Sequence, residues 1–177
     1  MKLNAKELRD VKEEDVVEKL KLIKRRPMYF ILENIYDTYN IGGLFRLADA
    51  LAIEKMYICG QSEIPPNSKI KKASIGTYKV VPWEYRKTAG EAIAEVKTSE
   101  VKIIAVEQAK NSVPYTKADY SGPVALILGN ETYGVTPETL KLADTIVEIP
   151  MFGINKSLNV IVSAAIVSYW AVNTSFK

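Results

Sequence analysis

The sequence predicts an α/β domain built around a mainly parallel sheet, with helices on both of its faces. Two observations predict it. Short runs rich in Val, Ile and Leu recur along the chain, and amphipathic segments with helix-start signals lie between them. Strands that are apolar almost throughout are those buried on both faces, and their alternation with helices is the pattern of parallel sheets. The size agrees, since 177 residues with 47% hydrophobic and 25% charged content suit one well-buried core.

In residues 4–25, Leu8, Val11, Val16, Leu20 and Ile23 recur near helical spacing, which predicts an amphipathic helix closed by Pro27. The chain therefore divides into a basic N-terminal helix at 1–27 and a domain at 28–177. Strands are predicted at 28–33, 55–59, 78–82, 101–107, 124–128 and 145–149. A helix at 41–53 follows Asn40 as cap, and another at 89–98 opens with the capping box of Thr88 and Glu91. A third, at 137–142, has Thr136 as cap and Pro137 at its first position. The last runs over 157–172, with Ser157 as cap. Between these elements "SEIPPNSKIKK" and "AKNSVPYTKADYSG" read as polar surface loops.

Composition excludes several functions. The chain has no histidine, which rules out Ser-His and Cys-His nucleophilic sites and leaves no soft ligand set for zinc, so no metal is expected. The single cysteine, Cys59, lies in the apolar run "MYICG" and reads as a buried thiol. No apolar stretch reaches the roughly 20 residues of a membrane span, and the start of the chain has no signal-like apolar core, so a cytoplasmic location is expected. Net charge is +3, and its excess is N-terminal: residues 1–27 hold nine Lys/Arg against six Asp/Glu, and the rest holds 15 of each. The run Lys19, Lys21, Lys24, Arg25 and Arg26 reads equally as a solvated helix face or as an RNA-facing patch.

In open α/β sheets ligands sit beyond the carboxyl ends of the strands. Three polar loops occupy such positions. "ENIYDTYNIGG" leads into a helix on which Arg46 follows Asn40 by six residues, off the buried stripe of Leu44, Leu47 and Leu51. "GNETYG" follows the strand "VALIL" and places Gly129, Asn130, Glu131 and Gly134 where backbone groups and a carboxylate meet a ligand. "PMFGINKS" follows "TIVEI" and leads to Asn159, a polar residue inside an apolar segment that implies a buried partner. A dinucleotide fingerprint with G-x-G-x-x-G spacing is absent.

Taken together, N-x5-R in the first loop, "GNE" followed by "YG" in the second, and IPM-x-G-x3-SLNV in the third resemble the three motifs of the SpoU-TrmH family of RNA ribose 2′-O-methyltransferases, within the SPOUT class. The resemblance extends over about residues 28–172. It implies S-adenosylmethionine as methyl donor, a deep trefoil knot from about Val124 onward, and a homodimer whose site draws on both subunits. Residues 28–177 become the methyltransferase domain. By position, Leu128, Gly129, Ile149, Met151, Ser157, Leu158 and Asn159 are expected to hold the cofactor, with Val106–Gln108 at the border of its pocket. Asn40, Arg46, Glu131, Ser157 and Asn159 are the expected catalytic set.

The family assigns the arginine matching Arg46 to activation of the 2′-hydroxyl. A guanidinium keeps its proton across the accessible pH range. A clamp on the neighbouring phosphate that also stabilises developing alkoxide is therefore favoured over a free base. Asn40 positions Arg46 or the nucleotide, Glu131 fixes its loop, and Ser157 with Asn159 holds the geometry. The expected partner is structured RNA, tRNA or rRNA, with neither DNA nor membrane involved. Its phosphates would be met by Lys24, Arg25, Arg26, Arg46, Lys69, Lys71 and Lys72, and its bases by Tyr36, Tyr39 and Trp83. The rival of a different class is a non-catalytic RNA-binding or ribosome-assembly module on the same fold.

Overall fold

The computed structural model of the protein describes residues 2–11, 20, 23–97 and 100–175. Seven strands form one sheet in which every pair is parallel. They are β1 (Arg26–Glu33), β2 (Ile53–Cys59), β3 (Trp83–Arg86), β4 (Lys102–Val106), β5 (Val113–Pro114), β6 (Val124–Leu128) and β7 (Thr145–Glu148), arranged in the order β3-β2-β1-β6-β4-β7-β5. The helices are α1 (Ala5–Asp10), α2 (Thr38–Leu51), α3 (Ser68–Ser74), α4 (Ala89–Val96), α5 (Pro137–Leu140) and α6 (Val160–Ser175).

Side chains alternate across a strand, so an apolar strand feeds two cores. Phe30, Leu32, Met56, Ile58, Ile104, Leu126 and Leu128 pack on the face covered by α2 and α6. Ile31, Tyr57, Cys59, Ile103, Ala105 and Ile127 pack on the other, against Ala89, Ala92, Ile93 and Val96 of α4. Burial pushes the Cys59 thiol up to about 12, which leaves it an inert member of that core. The register then decides where the loops start. Leu32 pairs with Leu128, Leu128 with Val106, and Val106 with Val147. The loops after β1, β6, β4 and β7 thus leave from one level at the carboxyl edge.

Two glycines let α2 sit close to its neighbours. A Cβ on Gly42 would lie 2.4 Å from Ala73 Cβ and 2.9 Å from the Ser74 backbone nitrogen, and one on Gly43 would lie 2.3 Å from Ile161 Cδ1. Gly42 faces α3 and Gly43 faces α6.

Several expected boundaries move. The first helical segment ends at Asp10, because Val11 turns away with φ −59 and ψ 125; Leu20 is again helical, residues 23–25 are not, and residues 12–19 and 21–22 of that expectation lie outside the described residues. Pro27 does not close a helix. It falls within β1, where pairing to β2 is irregular between Arg26 and Tyr29, as suits a residue with no N–H to donate. The cap of α2 is Asp37, whose Oδ1 accepts from Tyr39 N at 2.8 Å, and this places Asn40 inside the first turn. The strand expected at 78–82 is not formed. The N–H groups of Val80 and Val81 bond back to the Thr77 carbonyl in a turn that follows Gly76 at φ 98, and pairing begins after Pro82. The loop "AKNSVPYTKADYSG" contains the two-residue strand β5 on the sheet edge. α6 starts at Val160, three residues later than expected, and extends to Ser175.

The α2–α3 contact gives a stability test. Gly42→Ala would gain helix propensity but drive a methyl group against Ala73 and the fixed backbone of Ser74. It is expected to destabilise the protein by about 1–2 kcal/mol and lower the melting temperature by several degrees. An unchanged melting temperature in thermal denaturation would contradict the close approach.

Candidate active site

The three polar loops meet in one hydrogen-bonded chain. Asn159 Nδ2 donates to Asn40 Oδ1 at 3.0 Å, and Asn40 Nδ2 donates to Glu131 Oε1 at 2.9 Å. The Glu131 carboxylate also accepts the backbone N–H groups of Tyr36 and Asp37, each at 3.2 Å. The first loop is thereby joined through side-chain amides to two loops 91 and 119 residues further along the chain. Asn40 is 5% exposed, so both ends of its amide need partners, and both have one. Asn159 does more than link. Its Oδ1 accepts from Ile161 N at 2.8 Å and its carbonyl accepts from Ser163 N, so Asn159, not Ser157, caps α6.

Burial alone would push the Glu131 carboxyl upward. Hydrogen bonds from Asn40 and from the Tyr36 and Asp37 amides outweigh it and hold the group below its ordinary value.

Neighbouring contacts hold the second loop rigid. Asn130 accepts from the Thr132 and Tyr133 amides through Oδ1 and donates to the Asn34 carbonyl at 2.7 Å. Gly129 is required here, because a Cβ would lie 2.3 Å from both the Gly134 carbonyl carbon and Val135 N. Glu107 accepts from Val135 N at 2.9 Å and from Gln108 N at 2.8 Å. Glu33, only 6% exposed at the end of β1, accepts from Thr136 N at 2.8 Å and from the hydroxyls of Thr136 and Thr139. The roles of Glu33 and Asn34 went unrecognised in the sequence. The signal was present in "FILEN", where a carboxylate ends an apolar run at the carboxyl end of a central strand.

Between these loops lies a cavity of about 590 Å³. Of the residues expected to hold a cofactor, Leu128, Gly129, Ile149, Met151, Ser157, Leu158 and Asn159 all lie on its wall, as do Glu131 and Val106–Gln108. Gln108 Nε2 donates to the Lys156 carbonyl, tying the end of β4 to the third loop. Asn40 reaches the cavity only through its two partners, and Arg46 is not on the wall. Arg46 stands exposed on α2, with no hydrogen bond or ion pair among the described residues.

The expected RNA contacts separate into two groups. Lys24, Lys69, Lys71 and Lys72 are exposed. Arg25 instead donates to the carbonyls of Ile53 and Val80 at 3.0 and 2.8 Å, and Arg26 to that of Leu51 at 2.8 Å, so the structure gives both guanidinium groups a backbone-tying use. Trp83 is partly buried, with its ring edge-on to Phe45 at 6.2 Å, and packs against the core. Among the described residues no acidic or cysteine cluster suits a metal, and no helix is long and apolar enough to cross a membrane.

A parallel α/β sheet whose carboxyl-edge loops enclose a mixed polar and apolar cleft defines a protein that binds a small organic ligand at that edge. The chain belongs to the SpoU rRNA Methylase family, whose model matches residues 27–169. The tRNA (guanosine(18)-2'-O)-methyltransferase of Escherichia coli K12 is 30% identical over 154 residues, which cover 85% of this chain but 65% of that protein. The chain therefore spans just under two thirds of that relative's length. Among solved structures, the TrmH/SpoU tRNA modifying enzyme of A. aeolicus matches with a TM-score of 0.78 at 28% identity, over 91% of this chain and 83% of that one. An AdoMet-bound rRNA methyltransferase from Sinorhizobium meliloti matches with a TM-score of 0.77 at 27% identity, over 94% of this chain and 59% of that one.

The depressed Glu131 carboxyl has a pH consequence. A group whose folded value lies below its unfolded one contributes stability above the unfolded range, near pH 4.3 for glutamate, and loses it as pH falls through the folded value. Glu131→Gln is expected to lower the urea midpoint at pH 7, with the gap to wild type narrowing as pH falls below the ordinary glutamate range and through the folded value. A gap that stays constant as pH falls would show that the charge on Glu131 does not matter.

Proposed function

We propose that the protein transfers a methyl group from S-adenosylmethionine to a ribose 2′-hydroxyl of structured RNA, either tRNA or rRNA. The observation that carries this reading is the chain Asn159–Asn40–Glu131, which joins the family's three motif loops at the wall of a cavity of suitable size. At about 590 Å³ the cavity falls within the range of about 300–1,000 Å³ typical of small-molecule sites. Its wall fits the group. Apolar Ile149, Met151 and Leu158 match the faces of an adenine ring, and the main chain around Gly129 offers groups for its polar edge.

When bound, S-adenosylmethionine supplies an electrophilic methyl carbon. The chain's own residues supply orientation, which in favourable intramolecular cases lowers a barrier by about 7–11 kcal/mol. Asn159 and Asn40 fix the start of α6 and the first turn of α2 relative to one another. Glu131 holds the loop after β1 by two backbone N–H groups. The transferred methyl replaces the hydroxyl proton, which must leave. Arg46, exposed and unpaired among the described residues, is assigned to clamp the adjacent phosphate and to stabilise the alkoxide, with the phosphate or water taking the proton.

Residues 28–177 are assigned as the methyltransferase domain and 1–27 as a basic N-terminal segment, acting in the cytoplasm. We further infer that the chain from about Val124 is threaded as a deep trefoil knot. The return of Asn159 to Asn40 supports it. A homodimer is supported by apolar surface left in water. Phe152 and Ile154 are 97% and 103% exposed in the third loop, and Val162 and Tyr169 stand exposed one above the other on α6, a helix apolar nearly all round.

Arg46→Ala is expected to reduce RNA ribose methylation at least about 100-fold, measured by mass spectrometry of nucleosides, with S-adenosylmethionine affinity by calorimetry unchanged. Equal loss of both would assign Arg46 a structural role. A Val162→Glu, Tyr169→Glu variant is expected to sediment as a monomer and to lose methyl transfer. A variant that still sediments as a dimer would exclude that face.

A further inference from the structure

The segment carrying Asn40 has a second use. The backbone amides of Tyr36 and Asp37 are bound to Glu131, while the side chains of Tyr36, Asp37 and Tyr39 line another cavity, of about 500 Å³, bounded on its far side by Glu63 and Lys69. The two tyrosines are 49% and 53% exposed and belong to neither core. Tyr36 is nonetheless held by its side chain and Tyr39 by its backbone. The Tyr36 hydroxyl donates to Gln61 Oε1 at 3.2 Å, and Tyr39 N sits on the Asp37 carboxylate at the start of α2.

The lining specifies its occupant. Two aromatic rings offer stacking surfaces. The carboxylates of Asp37 and Glu63 accept hydrogen bonds, and Glu63 has no partner among the described residues. A phosphate entering first would meet both negative charges. A nucleobase brings a π-face to the tyrosines and N–H donors to the carboxylates, and leaves its phosphate outside for Lys69. Only an unstacked base can enter, as in the recognition of single-stranded RNA.

The location fits as well. Tyr39 and Arg46 are seven residues apart on α2, which puts them within about 20° of one another around its axis and about 10 Å apart along it. An RNA strand clamped at Arg46 therefore continues along the same stripe toward this cavity.

We propose that the second cavity takes the base of an unpaired nucleotide flanking the one whose ribose is methylated, an inference that rests on the reading of the site as an RNA ribose methyltransferase. Stacking would come from Tyr36 and Tyr39, edge recognition from Asp37 and Glu63, and charge from Lys69. The cavity thereby selects substrates in which the acceptor nucleotide lies in an open loop.

Three measurements on the full chain test it. A short single-stranded oligoribonucleotide carrying 2-aminopurine is expected to be quenched on binding wild type. Tyr36→Leu and Tyr39→Leu should abolish that quenching and raise KM for tRNA or rRNA about ten-fold each, with kcat and S-adenosylmethionine affinity unchanged. Tyr36→Phe and Tyr39→Phe, which keep the ring, should restore both. Quenching and KM left unchanged in both leucine variants would overturn the cavity's role while methyl transfer stands. Loss of kcat and cofactor affinity together with KM would equally overturn it, by showing a structural role for the tyrosines. A wild type that neither binds S-adenosylmethionine nor methylates RNA would instead overturn the function, and the quenching would still read the cavity independently.

Discussion

The arrangement depends on one buried amide. Asn40 accepts from Asn159 and donates to Glu131, and so joins all three loops through one side chain. Its interior position makes both bonds matter, because a buried amide that loses one partner bears a desolvation cost of about 1–3 kcal/mol. Glutamate is the appropriate receiver. As an ionised carboxylate it only accepts, and here it takes two backbone N–H groups and one amide N–H around its two oxygens. The negative charge serves to collect donors from a loop that would otherwise have none.

The sheet makes this meeting possible. The register that levels Leu32, Leu128, Val106 and Val147 starts four connections from a common line, and those after β1, β6 and β7 meet beyond it. The two glycines of α2 then let the helix lie against α3 and α6 without spacer side chains. Precision at the site thus originates in strand pairing and helix packing, elements with no chemistry of their own, and the candidate groups are carried on α2 and on the loops that these fix.

Much of this was legible in the sequence, and the reasons for the gaps are physical. The α/β class, the six main strands apart from the one after Gly76, and the caps at Thr88 and Thr136 follow from apolar periodicity and short-range signals. The sequence-expected strand at 78–82 fails because its N–H groups are satisfied locally by Thr77, a competition that apolar composition cannot reveal. The caps at Asn40 and Ser157 were displaced to Asp37 and Asn159, since Asn, Ser and Asp all suit the position and tertiary partners decide among them. Arg25 and Arg26 looked like surface cations, yet each bonds carbonyls of distant residues. The cavity wall was legible only through the motif resemblance, because Ile149, Met151 and Leu158 are indistinguishable by composition from core residues.

The contact between Gly43 and Ile161 has a mechanical consequence. With the isoleucine methyl occupying the space a side chain would fill, α2 and α6 have no slack at their crossing, and the point of contact is one turn from Asn40 and two residues from Asn159. The close crossing of α2 and α6 thus fixes the spacing between the two elements that carry the Asn40–Asn159 amide pair.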